Sequence, residues 1–245
     1  MNPFVGLYYI NKGFSLIRRP GIRRFVVIPL LVNILLFSAA IALGIHYFES
    51  AMAQIIPTGW QWLEWLLWPL FAISMLLVVF YSFTLIANFI CAPFNSLLAE
   101  AVERELAGNV TGSQTTPMQA LKQTPTILWN EARKIGYFLL RALPLLVLFF
   151  IPGINLFAPF IWFAFSAWLL SLEYLDYPMG NRNIQFSQQR QILKQHRISS
   201  LSFGASVLTL TMIPIINFIA MPLAVAAATA LYLDKIDTPQ KQPLN

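Results

Sequence analysis

The stretch Ile151-Pro152-Gly153-Ile154-Asn155-Leu156-Phe157-Ala158-Pro159 returns as Ile213-Pro214-Ile215-Ile216-Asn217-Phe218-Ile219-Ala220-Met221-Pro222. Each copy interrupts a long apolar run and follows basic residues: Arg133, Lys134 and Arg141 before the first, Lys194 and Arg197 before the second. Each run ends in Tyr-Leu-Asp, at Tyr174-Leu175-Asp176 and Tyr232-Leu233-Asp234. Proline interrupts a helix and marks a turn. The repeat therefore predicts a duplicated helical hairpin with Pro and Asn at its tip. The arms span about ten to twenty residues. An arm of ten residues rises ~15 Å as helix, roughly half of a bilayer's hydrocarbon core. Such a hairpin penetrates a membrane without crossing it. Non-helical backbone at its tip needs burial or a wet cavity, and Asn155 and Asn217 are the expected partners for that backbone. The alternative is that each run makes one long, bent crossing.

Hydrophobic residues make up 58% of the 245-residue chain and charged residues 11%. A soluble domain carries about a quarter charged residues, so this composition predicts an integral membrane protein. Four uncharged runs, Phe25–Phe48, Trp65–Ala99, Ala142–Leu172 and Ile198–Leu233, each exceed the ~20 residues that span a bilayer. The sixteen Lys and Arg residues decide how the runs are used. If the last two runs return to the side they leave, every basic residue falls on one side. If either run crosses once, a basic segment falls outside. The positive-inside rule therefore favours an all-α, multi-pass fold. It has two long transmembrane helices (22–48 and 65–92) and two re-entrant or partly penetrating hairpins (142–172 and 198–233). Amphipathic cytoplasmic helices and both termini lie inside.

Residues 1–20 read as an interfacial amphipathic segment with Phe4, Leu7, Tyr8, Phe14, Leu16 and Ile17 apolar. Pro20-Gly21 breaks the chain before the first membrane helix. Residues 49–64 form a short outer loop with Trp60 and Trp62, beside Trp65, as an interfacial belt. Pro93 marks a bend. Asn95-Ser96 caps a following helix that runs from Leu97 to about Leu106. Gly108–Thr116 is a loop, and a further helix starts near Pro117 or Pro125. The 93–141 and 173–197 segments are cytoplasmic.

No phosphate-binding loop, HExxH or G-x-S-x-G motif occurs. Two His and one Cys are too few for a His/Cys metal site. No enzymatic activity, cofactor or nucleic-acid partner is expected. The chemistry concentrates at Arg18-Arg19-Pro20-Gly21-Ile22-Arg23-Arg24, where the first acid in the chain is as distant as Glu49. The first N–H groups of a helix lack intrahelical partners and favour anions. Arg23 and Arg24 add charge-assisted donors. A site of donors alone suits sulfate, which has no proton to donate, over hydrogen phosphate. The competing reading is topogenic charge that binds anionic lipid headgroups. Asn33, Asn88, Asn95, Glu100, Glu103 and Arg104 are candidate permeation residues. Against this, the intramembrane Asn33 and Asn88 suit a helix–helix hydrogen bond, and the 100–104 charges suit a solvated face with a Glu100–Arg104 pair.

Several segments together resemble the CysZ sulfate permeases. They are Gly21-Ile22-Arg23-Arg24-Phe25 with Ile28-Pro29-Leu30-Leu31-Val32-Asn33, Ala92-Pro93-Phe94-Asn95-Ser96-Leu97-Leu98-Ala99-Glu100, Phe150-Ile151-Pro152-Gly153-Ile154, Phe165-Ser166-Ala167-Trp168, Phe203-Gly204-Ala205 and Thr211-Met212-Ile213-Pro214. The resemblance covers nearly the whole chain in order. It implies sulfate uptake across the bacterial inner membrane in support of cysteine biosynthesis, a homo-oligomer in contact with membrane lipids, and sulfite as a competitor or regulator. It also implies a sulfate site at the start of the first long helix. Carried onto this chain, that site is Gly21, Ile22, Arg23 and Arg24, with Ile22 where the family motif has Leu. The alternative is a non-transporting membrane assembly or lipid-binding protein with a basic cytoplasmic face.

Overall fold

The computed structural model describes residues 4–55, 62–108 and 133–237. The regular elements among these residues are helical: α1 Val5–Ile17, α2 Pro20–Ile55, α3 Trp62–Ala107, α4 over 133–147, α5 Ala158–Asn181, α6 Phe186–Gln195, α7 Arg197–Thr211 and α8 Pro214–Leu231. A 3-10 turn at Leu148–Phe150 and a π turn at Tyr232–Ile236 close α4 and α8. Three described segments are long and apolar enough to cross a bilayer: Pro20–Phe48, Ala158–Asn181 and Ile219–Ile236. The chain forms two compact units, Arg24–Phe94 and Met1–Arg23 with Asn95–Asn245.

In the 24–94 unit, α2 and α3 run antiparallel. Phe48 stacks on Phe71 with ring centroids 3.7 Å apart, and Trp68 sets its edge against Phe48. Four residues back along α2, Gly44 meets Met75. At 36 residues α2 is roughly 54 Å long, well beyond a ~30 Å hydrocarbon core. It starts at Pro20, two residues earlier than expected. Proline fits the first helical position because an N–H there would have no partner. The break falls at Arg18-Arg19 instead. The outer loop is also shorter than 49–64, because α2 reaches Ile55 and α3 begins at Trp62. Trp60 lies outside the described residues.

The bend at Pro93 and the separate capped helix after it are not observed. α3 runs unbroken from Trp62 to Ala107. Proline removes one intrahelical bond, and tertiary packing outweighs that loss. Leu98, Ala99 and Val102 are fully buried. Ser96, rather than capping, donates its hydroxyl to Asn181 Oδ1 at 2.5 Å and accepts from Asn181 Nδ2 at its carbonyl. The helix expected from Pro117 or Pro125 falls outside the described residues up to 133.

The second unit contains both Pro-Asn words, and each sits at a helix turn. α4 and α5 form an antiparallel pair. Lys134 bonds Asp176 at 2.8 Å, Trp168 Nε1 donates to the Tyr137 hydroxyl at 3.1 Å, and Phe149 packs edge-on to Trp162. The turn between them spans 151–157, where Gly153 takes φ +84. That left-handed conformation is one a side chain resists. α7 and α8 turn at Met212-Ile213, with Pro214 as the first residue of α8. The tip asparagines do not satisfy the turn backbone through their side chains. Backbone bonds do so instead: Asn155 N–H to the Ile151 carbonyl, Phe157 N–H to Ile154, Ile213 N–H to Leu210 and Asn217 N–H to Ile213. Tight helical turns of this kind leave Asn155 and Asn217 exposed. Phe150, at 85% exposure, crowns the first tip.

Helices of this unit meet through small residues, the usual route to close packing where lipid supplies no hydrophobic drive. A Cβ on Gly204 of α7 would lie 1.7 Å from the Ala167 carbonyl oxygen of α5. Ala224, Ala226, Ala227, Ala228 and Ala230 of α8 are all completely buried. α1 packs on α7 and α8 through Gly6, Tyr9, Ile10, Gly13, Leu16 and Ile17, which leaves Phe4, Leu7 and Tyr8 outward.

Candidate functional site at the start of α2

The four arginines around the α1–α2 turn have different surroundings. Arg18 lies over the ring of Phe14, with its guanidinium carbon 4.2 Å from the centroid. Arg19 is drawn to Glu105 of α3 at 2.5 Å. Arg23 and Arg24 are exposed and have no carboxylate partner among the described residues. Arg24 rests against its neighbour Phe25 at 4.8 Å. One acid therefore reaches the cluster, and it neutralises the arginine before the helix rather than those on it.

The backbone is equally divided. Ile22 and Arg23 both donate their N–H to the Arg19 carbonyl, at 3.0 and 2.9 Å. Pro20 has no N–H. That leaves the Gly21 N–H as the donor of the first turn without a partner among the described residues. The space around Gly21 is open, with nothing within 4 Å of where a Cβ would stand. Ile22 points the other way. Its side chain is 1% exposed and anchors the helix start. Within the unit that holds residues 1–23, the helix start presents the Gly21 N–H and the exposed Arg23 guanidinium, without a carboxylate partner among the described residues, and a buried Ile22 as the pin.

The candidate permeation residues separate. Asn95 is buried and donates to the Tyr177 hydroxyl at 3.3 Å and toward Met221 Sδ at 3.1 Å. Glu103 is buried and bonds Arg182 at 2.6 Å. Arg182 also reaches Asp237 at 2.5 Å and lies over the Tyr232 ring. Burial works against the charged guanidinium, but its bonds to Glu103 and Asp237 outweigh that and hold its pKa above the usual arginine range. Glu100 and Arg104 form the expected i,i+4 pair at 2.9 Å on an exposed face. Asn33 and Asn88 lie on α2 and α3, and their side chains fall outside the described ones.

Sequence reasoning missed the Glu103–Arg182–Asp237 chain, whose members come from three distant segments. It also missed a second basic group at Arg133, Arg141 and Arg190. Arg141 and Tyr137 stand four residues apart on one helix, a spacing that was readable. Arg190 comes to them only through the tertiary fold.

These features define a helical membrane protein with a basic, acid-poor helix start. The chain belongs to the family described as Sulfate transporter CysZ/Etoposide-induced protein 2.4, whose model matches residues 9–222. It is 45% identical over 238 residues to a protein named Sulfate transporter CysZ from Pectobacterium atrosepticum. That match covers 94% of this chain and 85% of the relative.

Proposed function

We propose that this chain carries sulfate across a bacterial cytoplasmic membrane, supplies sulfur for cysteine synthesis, and binds sulfate through Gly21, Ile22, Arg23 and Arg24. The observation that carries the site is the division of the arginines. Arg19 is paired with Glu105, while the Gly21 N–H and Arg23 have no such partner among the described residues, and Arg24 follows next in sequence, also without one. A fully ionised tetrahedral anion needs donors only. Charge-assisted bonds from guanidinium groups are the strong kind, and a backbone N–H at a helix start adds to them. Ile22 contributes by fixing the helix start, since its own N–H is engaged.

The same reading places both termini in the cytoplasm, α2 and α3 across the bilayer and the two hairpins partly within it. It is supported by the one-sided Lys/Arg distribution. The ion pairs Lys12–Asp234, Arg19–Glu105, Lys134–Asp176 and Arg182–Glu103 fit it too, because each joins segments assigned to one side. Partly inserted hairpins with exposed apolar tips favour a homo-oligomer that covers them. Asn33, Asn88, Asn95, Glu100, Glu103 and Arg104 remain the proposed path residues. Of these, Glu100 and Arg104 are the exposed pair, and Asn95 and Glu103 act from within the packed unit.

The test is radiolabelled sulfate flux into proteoliposomes with and without an imposed pH gradient. Flux above empty vesicles, reduced in the Arg23→Ala/Arg24→Ala variant, is the expected result. Flux no greater than that of empty vesicles would leave the chain as a non-transporting membrane assembly. In binding assays sulfite and selenate are expected to displace sulfate better than phosphate does.

A further inference from the structure

Away from α2, a cavity of about 400 Å³ opens between α4 and α6. Its lining carries three arginines, Arg133, Arg141 and Arg190, together with Ser187, and no carboxylate among the described residues. Two of the arginines share one aromatic ring. The guanidinium carbon of Arg141 lies 3.8 Å from the Tyr137 centroid, and that of Arg190 lies 4.7 Å from the same centroid. Tyr137 is itself fixed, because its hydroxyl accepts from Trp168 Nε1. Arg190 Nε is buried and has no hydrogen-bond partner. A buried charged donor left unpaired is costly, and two cations against one ring repel each other. Asp176 of α5 is held by Lys134 and Gln189. Among the described residues, Arg141 and Arg190 meet at one ring with no carboxylate between them.

Its position says which anion. Arg141 is the last charge before the apolar run from Ala142 to Leu172. Leu140, which also lines the cavity, is 73% exposed, and Leu139 and Leu143 are exposed beside it. Guanidinium groups at the cytoplasmic start of a membrane-inserted helix stand at headgroup depth, with leucines leading inward. The volume matches a site for a sizeable molecule rather than a lone ion. We propose that Arg141 and Arg190 hold the phosphate of an anionic phospholipid, with its acyl chains along Leu140 and Leu143 and Arg133 at the rim. Basic pockets on the cytoplasmic side of membrane helices are suited to such headgroups. The proposal rests on the cytoplasmic, partly inserted placement of the first hairpin proposed above, and not on sulfate transport or the α2 site.

The experiment uses full-length protein purified in detergent. Thermal unfolding is followed with added phosphatidylglycerol, phosphatidylcholine, sodium sulfate or inorganic phosphate, and copurified lipid is counted by mass spectrometry. Phosphatidylglycerol is expected to raise the melting temperature more than phosphatidylcholine does. Arg141→Gln/Arg190→Gln should abolish that difference and lower copurified phosphatidylglycerol at least about tenfold, since the loss of a single charge-assisted contact is already on that scale. Arg23→Ala/Arg24→Ala should retain the lipid effect. Arg141→Lys/Arg190→Lys keeps the charge and safeguards folding. It is expected to lose most of the preference, because lysine lacks the planar fork and ring stacking. A lipid preference that survives both Arg141/Arg190 variants overturns the assignment. So does a wild type stabilised equally by free sulfate or phosphate through these residues, or by no anion at all.

Discussion

Arg182, at the end of α5, closes on Glu103 of α3 at 2.6 Å, and the carboxylate is 1% exposed. Removal of Arg182 takes the guanidinium partner from a buried carboxylate, a loss on the scale of about 3–5 kcal/mol. Arg182→Ala is therefore expected to lower the thermal midpoint in detergent severely. Arg104→Ala, which removes an exposed pair with Glu100, should cost less than about 1 kcal/mol. Equal losses from the two substitutions would contradict the burial difference.

Gly21→Ala separates binding from folding. The position is helical, and nothing stands within 4 Å of the new Cβ. Stability should hold or rise by up to about 1 kcal/mol, since alanine is the better helix former. Sulfate affinity should fall, because the methyl group occupies the side from which the anion approaches. Parallel melting and binding titrations read both effects, and unchanged affinity would move the anion elsewhere.

The arginines should differ in weight. Arg23→Ala is expected to weaken sulfate binding about tenfold or more, the scale of a lost bond to a charged group. Arg19→Ala should change it by less than about threefold, because Glu105 already neutralises that side chain. Isothermal titration of the two variants distinguishes them.

Gly204→Ala drives a methyl group into the Ala167 carbonyl of α5, at 1.7 Å from its oxygen. α5 and α7 would have to separate, at an expected cost of about 3 kcal/mol or more. Loss of folded protein on size-exclusion chromatography, or a large fall in melting temperature, is the readout.

Hairpin depth is open to cysteine labelling. The chain has one native cysteine, so Cys91→Ala provides the background. Leu156→Cys at the first tip is expected to resist a membrane-impermeant maleimide from either side. Gln191→Cys on α6 should react only from the cytoplasmic side. Labelling of Leu156→Cys from outside would turn the first hairpin into a full crossing.

The turns of both hairpins were legible because Pro152, Asn155, Pro214 and Asn217 interrupt apolar runs, and interruption is a local signal. How those turns satisfy their backbone was not. The asparagines looked like the needed side chains, but consecutive carbonyls along the chain accept the N–H groups instead. Pro93 misled in the opposite sense. Its local preference for a break is real, yet the buried face of Leu98, Ala99 and Val102, with Ser96 tied to Asn181, accompanies a helix that continues through it. At the candidate site, the charge of Arg23 and Arg24 was readable. The removal of Arg19 by Glu105 was not, because it joins residues 86 positions apart.

The packing of α1 against α7 and α8 has a consequence for synthesis. Gly6 donates its N–H to the hydroxyl oxygen of Ser202, 196 positions later, and Lys12 waits for Asp234. At about 5–20 residues per second, an emerging chain keeps its first helix without a partner for roughly 10–40 s. During that interval Tyr9, Ile10 and Leu16 have only the bilayer surface to lie on. The first segment made is the last to be seated, so a truncated or stalled chain carries an exposed apolar helix that marks it as unfinished.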